Sequence, residues 1–144
     1  MRIVLDTNQL VWALARPPEL ATFVMAWASA RFTVICSAEL LDEYEHVLRR
    51  DYIQPLLYPE SLRAFRSYLV DAIDLFELHP FPALCRDPDD DKVIATAIQG
   101  AADYLLTVDE DILAREVLQV LQQAHVQVMN IDEFIMQLDS QPNL

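Results

Sequence analysis

Asp87-Pro88-Asp89-Asp90-Asp91-Lys92-Val93-Ile94-Ala95-Thr96-Ala97-Ile98-Gln99-Gly100, followed at once by Ala101-Ala102-Asp103-Tyr104-Leu105-Leu106-Thr107-Val108-Asp109, reads as a helix feeding a strand. The first half opens on a capping acid with Pro88 at the first helical position, repeats apolar residues at helical spacing, and stops at Gly100. The second half is a short aliphatic run between polar ends. Outward from this unit, apolar runs at residues 3–5, 32–36 and 126–129, with a weaker one at 76–78, alternate with segments of helical period. Helices are predicted over 9–15, over 19–30 through Leu20, Phe23, Val24 and Trp27, and over 38–50 through Leu40, Leu41, Tyr44, Val47 and Leu48. Another opens at Pro59, and one carrying Ile112, Leu113, Val117, Val120 and Leu121 follows Asp109. The rhythm predicts an α/β fold, a mostly parallel sheet of four to five strands flanked by helices.

The 144 residues, 53% of them hydrophobic, suffice for one core and are too few for two. We expect a single domain over residues 1–138 and a frayed tail over 139–144, which contains Pro142. A single glycine excludes the P-loop and the dinucleotide fingerprint, both of which need several. Cys36 and Cys85 stand apart, so zinc sites, CxxC redox motifs and a disulfide framework lack their ligands, and a reducing interior is expected. The opening apolar run meets Asp6 too early for a signal peptide, and no stretch approaches the ~20 apolar residues of a membrane span. A cytoplasmic protein with no membrane contact is expected. The net charge of −13 means that a polyanion is not attracted from a distance.

The acids gather at three junctions: Asp6-Thr7-Asn8 after the first strand, the 87–91 run at the helix start, and Asp109-Glu110-Asp111 after the 104–108 strand. Capping by itself accounts for any one of them. All three, however, fall where a parallel sheet collects its strand ends, the edge at which open α/β sheets bind ligands. At about 100° per residue, Val93, Ile94, Ala97, Ile98 and Ala101 form the buried face of the helix. Asp90 lies near the centre of that face and Asp91 near its edge, while Asp89 and Lys92 point to water. A capping-box role for Asp90 toward Asp87 is the bland alternative. Two carboxylates ~4 Å apart repel by about 4 kcal/mol at an effective dielectric near 20, so a gathered set needs protons or a cation. Oxygen donors without thiolate or imidazole select Mg²⁺ or Mn²⁺, and phosphodiester hydrolysis follows as the chemistry.

Four segments together resemble the PIN domain family, and within it the VapC-like toxins of prokaryotic toxin–antitoxin systems: Ile3-Val4-Leu5-Asp6-Thr7-Asn8, the Ser37 to Arg50 helix, Arg86 to Lys92, and Ala101 to Asp109. The resemblance implies a PIN-like three-layer fold and a metal-dependent endoribonuclease using Mg²⁺ or Mn²⁺. It implies an RNA substrate, an antitoxin protein as partner and a homodimer. Residue by residue, Asp6 matches the first acid and Glu43 the second, where helical periodicity does not choose between Glu43 and Glu45. The third falls on Asp90 or Asp91, the wheel favouring Asp90, and the fourth on Asp109. Asp6, Asp90, Asp91 and Asp109 are the candidate metal ligands, with Thr107 and Asn8 as polar neighbours that orient a ligand or water. A basic rim is expected from Arg49, Arg86 and Lys92, with Arg50, Arg63 and Arg66 nearby. Trp12, Trp27 and Phe23 are candidates for a dimer contact. The rival reading is a PIN-like interaction module whose acids are only caps. A haloacid-dehalogenase-type phosphatase is disfavoured because Asp6-Thr7-Asn8 lacks the second Asp, and a receiver domain because no Lys lies near the last strand.

Overall fold

The computed structural model describes residues 1–141. In chain order it contains β1 (Arg2–Leu5), α1 (Thr7–Leu14), α2 (Pro17–Ala28), β2 (Thr33–Ser37), α3 (Ala38–Leu48), α4 (Pro59–Ala72), β3 (Asp74–Phe76), α5 (Asp91–Gln99), β4 (Tyr104–Leu106), α6 (Arg115–Gln123), β5 (Gln127–Met129) and α7 (Ile131–Ser140). Single 3-10 turns occupy Gln54–Leu56 and Pro88–Asp90. The five strands form one sheet of order β3-β2-β1-β4-β5, and every pairing is parallel.

Ile3, Val4 and Leu5 are buried on both faces, as a central parallel strand requires, which is why β1 reads as an unbroken apolar run. At the edges, Leu75 of β3 and Gln127 of β5 are exposed. The chain steps outward from β1 through β2 to β3, then returns to place β4 on the other side of β1. The β1/β4 boundary is therefore the switch point at whose carboxyl side a crevice opens.

One contiguous core runs from Ile3 to Leu138. Phe23 and Trp27 belong to it, meeting each other edge-on and Phe32, Phe65 and Phe134 in tilted contacts. Of the three expected dimer-contact residues only Trp12 is exposed, and the Arg16 guanidinium covers its ring.

Several boundaries depart from expectation. The strand expected at 76–78 lies at Asp74–Phe76, because pairing of Ile35 with Asp74 and Ser37 with Phe76 sets its register. Helix α6 starts at Arg115, with Ile112 buried in the turn before it. Helix α7 follows β5 at once and carries residues 139 and 140 of the expected tail, while 142–144 lie outside the described residues. No helix is predicted there from the sequence; Asn130 caps it, accepting from the Glu133 amide at 2.8 Å while its side chain donates to Glu133 Oε1 at 2.7 Å. Gly100 does cap α5, but with φ −80°, and Ala101 after it takes the left-handed conformation. Glycine is needed there for closeness: a Cβ would lie 2.7 Å from Ile35 Cδ1 and 2.8 Å from the Thr96 carbonyl.

Candidate active site

Parallel pairing of Leu5 with Leu106 carries the next residues, Asp6 and Thr107, side by side past the end of the sheet. The ladder continues through the Asp6 amide to the Leu106 carbonyl at 2.9 Å. Thr107 Oγ1 donates to Asp6 Oδ2 at 2.6 Å and accepts from the Asp109 amide at 3.0 Å. The other Asp6 oxygen accepts from the Thr7 amide at 2.8 Å, so Asp6 is both a cap and a buried acid. Beneath it the fully buried Tyr44 hydroxyl donates to the Leu5 carbonyl, fastening α3 to the end of β1.

A cleft of about 370 Å³ opens at this edge, and its walls include Asp6, Glu43, Asp87, Asp89, Asp90 and Asp109. Capping explains these carboxylates unequally. Asp87 accepts from the Asp89 amide at 3.0 Å, and Asp109 Oδ1 from the Asp111 amide at 2.8 Å. Asp90 makes no capping hydrogen bond. Its carboxyl is pushed up to about 7, by burial first and then by the charges of Asp109, Asp87, Asp6 and Asp111. Burial also lifts Asp6 to about 6; the Thr107 and Thr7 hydrogen bonds work against the rise, and Asp109 and Glu43 add to it.

The structure separates the two candidates for the third acid. Asp90 faces the cleft, whereas Asp91 Oδ1 accepts from the Leu84 and Cys85 amides at 2.9 and 2.7 Å and its residue lines a different, mostly apolar cavity. Asp91 thus clamps the end of the 77–85 strap and does not line the cleft, because one step around the helix turns a side chain by about 100°. Glu43 and Glu45 separate likewise. Glu43 lines the cleft, while Glu45 turns to Arg66 at 3.3 Å and Arg49 at 3.9 Å.

Lys92 does not point to water: its ammonium sits 3.2 Å from Glu43 Oε1, and Thr7 Oγ1 donates to the other Glu43 oxygen. The Ser37–Thr96 hydroxyl contact at 2.7 Å explains this, since it turns the Lys92/Thr96 side of α5 toward α3. The expected basic rim is therefore largely spent on acids, with Arg86 on Asp111 at 3.1 Å and Arg49 on Glu45. Thr107 orients Asp6, its donor and an acceptor both engaged, while Asn8 lies exposed on the cleft wall.

Sequence reasoning passed over Asp111 as a cap. It joins Asp90 and Asp109 in a group whose carboxylate oxygens lie within 4.8 Å of one another. An all-oxygen donor set, in which only Asp111 contacts a cation among the described residues, fits a hard divalent cation, Mg²⁺ or Mn²⁺. Asp6, coupled electrostatically to Asp109 and Asp90, adjoins that group.

A parallel α/β sheet with carboxylates gathered at its switch point defines an acidic α/β site suited to a divalent cation. Residues 2–111 match the family model of the PIN domain, and the chain belongs to that family, whose members are generally metal-dependent nucleases. Neither the curated proteins nor the solved structures contain a match to the chain. Among the described residues, no helix is long and apolar enough to cross a membrane.

Proposed function

We propose that this single-domain protein is a Mg²⁺- or Mn²⁺-dependent endoribonuclease, the cytoplasmic toxin of a toxin–antitoxin pair. The observation that carries the reading is the convergence of Asp6, Asp90 and Asp109, from three separate segments, on one cleft where two of them resist ionisation.

Asp6, Asp90 and Asp109, joined by Asp111, would hold the metal; when bound it neutralises charge at the scissile phosphate and makes a water more acidic. Thr107 keeps the Asp6 carboxylate aimed by holding one of its oxygens. Glu43, its charge balanced by Lys92 and one oxygen held by Thr7, orients the attacking water and accepts its proton. The new bond joins the water oxygen to phosphorus and the bond to the 3′-oxygen breaks, leaving a 5′-phosphate and, after proton uptake, a 3′-hydroxyl.

A surface of net charge −13 suits a basic antitoxin segment that covers the cleft. Trp12, with Arg16 at 4.3 Å from its ring, is the remaining candidate for a contact between copies.

Asp6→Asn tests the proposal directly. Cleavage of RNA in Mg²⁺ should disappear, and the metal-free melting temperature should stay level or rise, because a buried charge leaves. Mn²⁺ should raise the melting temperature of the natural protein and not of the variant. Undiminished cleavage by the variant would contradict the nuclease; a cation response absent from both proteins would favour the interaction module.

A further inference from the structure

On the ribonuclease reading, we propose that Arg50 and Tyr52 form a nucleotide subsite beside the acids, where the base of an unpaired RNA nucleotide stacks on the Tyr52 ring and a neighbouring phosphate meets the Arg50 guanidinium. Both residues line the acidic cleft. Tyr52 is 65% exposed, yet the turn that carries it is ordered. The Ile53 and Gln54 amides donate to the Arg50 carbonyl at 3.0 and 3.1 Å, the Gln54 side chain donates to the Leu48 carbonyl at 2.8 Å, and Ile53 is buried. The ring is thus held out toward solvent at the rim of the cleft with little ordering left to do on binding.

Arg50 is distinguished by its charge balance. Arg49, Arg66, Arg86 and Lys92 each contact a carboxylate, whereas Arg50 enters no ion pair among the described residues and donates to the Tyr52 hydroxyl at 2.8 Å. It is the one basic residue among those that line the cleft. The Arg16–Trp12 pair supplies the contrast: the Arg50 guanidinium lies 5.9 Å from the Tyr52 ring centre and that of Arg16 4.3 Å from Trp12's, but Glu19 and Asp132 occupy Arg16 and it lies outside the cleft.

The charge of the chain gives the pair its purpose. With long-range attraction of phosphates absent, a strand must be held by contacts that do not depend on net charge, and stacking on an aromatic face is one. A paired base has both faces covered by its neighbours, so only an unpaired nucleotide has a face free for Tyr52.

The test is steady-state cleavage of a short single-stranded oligoribonucleotide in Mg²⁺ by the full chain and by Tyr52→Ala, Tyr52→Trp and Arg50→Ala. Tyr52→Ala should raise KM about tenfold while kcat holds, and Tyr52→Trp should restore it. Arg50→Ala should raise KM several-fold and lower the salt dependence of binding by about one. Removing a single base next to the scissile bond should weaken cleavage by the natural protein and add nothing in Tyr52→Ala, a coupling that a merely structural role would not produce. An unchanged KM in Tyr52→Ala, an abasic penalty that persists in it, or equal cleavage of duplex would each overturn the subsite with the nuclease intact, and would leave the pair as a contact for a protein partner. Absence of any metal-dependent RNA cleavage by the natural protein would overturn the nuclease and the subsite together.

Discussion

The two ends of the sheet treat the same kind of side chain in opposite ways. At the amino end, Arg2 satisfies two acids and a helix terminus at once: its amide donates to Asp103 at 2.7 Å, its Nη1 to Asp74 at 3.0 Å, and its Nε and Nη2 to the Gly100 carbonyl at 3.0 and 2.9 Å. At the carboxyl end, cations reach Glu43 and Asp111 through Lys92 and Arg86, while Asp6, Asp90 and Asp109 contact none among the described residues. The acids around Arg2 are satisfied within the chain; carboxylates left crowded and without a cation at a switch point mark where an external cation belongs.

The largest effect separating the two ends should come from Asp90→Asn. Metal-dependent cleavage is expected to fall by about a hundredfold or more, since the variant loses a ligand group, and the Mn²⁺-induced rise in melting temperature should go with it. Retention of that rise would remove Asp90 from the metal site. Next in size is Asp91→Ala, which leaves the Leu84 and Cys85 amides without their acceptor and should cost about 2–3 kcal/mol in denaturant unfolding. Asp91→Asn keeps an oxygen for both amides and should preserve both activity and the Mn²⁺ response. Loss of that response in Asp91→Asn would return Asp91 to the ligand set.

The pH dependence of metal-free stability is a comparable or smaller effect. The folded Asp6 and Asp90 carboxyls titrate near 6 and 7, against 3.8 for the ordinary group. Between about pH 4 and 7 the native state therefore holds protons that the unfolded chain has released, and stability falls as pH rises through that window. For the buried Asp6 the loss amounts to about 3 kcal/mol at most, and saturating Mn²⁺ should flatten it. A metal-free stability that climbs between pH 4 and 7 would contradict this picture. The smallest effect belongs to the amino end: Asp74→Ala breaks an exposed pair, should change stability by less than about 1 kcal/mol, and should leave the Mn²⁺ response untouched.

Much of this was visible along the chain. Asp6 and Asp109 were legible because Asp6 directly follows β1 and Asp109 lies a short step past β4, and parallel pairing brings those strand ends together whatever the helices do. Asp90 was legible on the helical wheel because it shares a face with Val93, Ile94 and Ala97, which must meet the sheet. Lys92 was misread because the same wheel ignores the neighbouring helix: from the side of α5 that faces α3, a long side chain reaches Glu43. Asp111 was hidden by its resemblance to a cap, and Tyr52 by lying on an irregular turn past α3, so that Arg50 was named only as a neighbour of the basic rim.

By itself, then, the sequence determined the periods, the caps and the kinds of donor available, since these depend on neighbours a few residues apart. Tertiary structure decided which acids share a cleft, which carry their own cation and which hold the strap. Those distances are set by strand register and helix packing between segments tens of residues apart, and no local pattern encodes them.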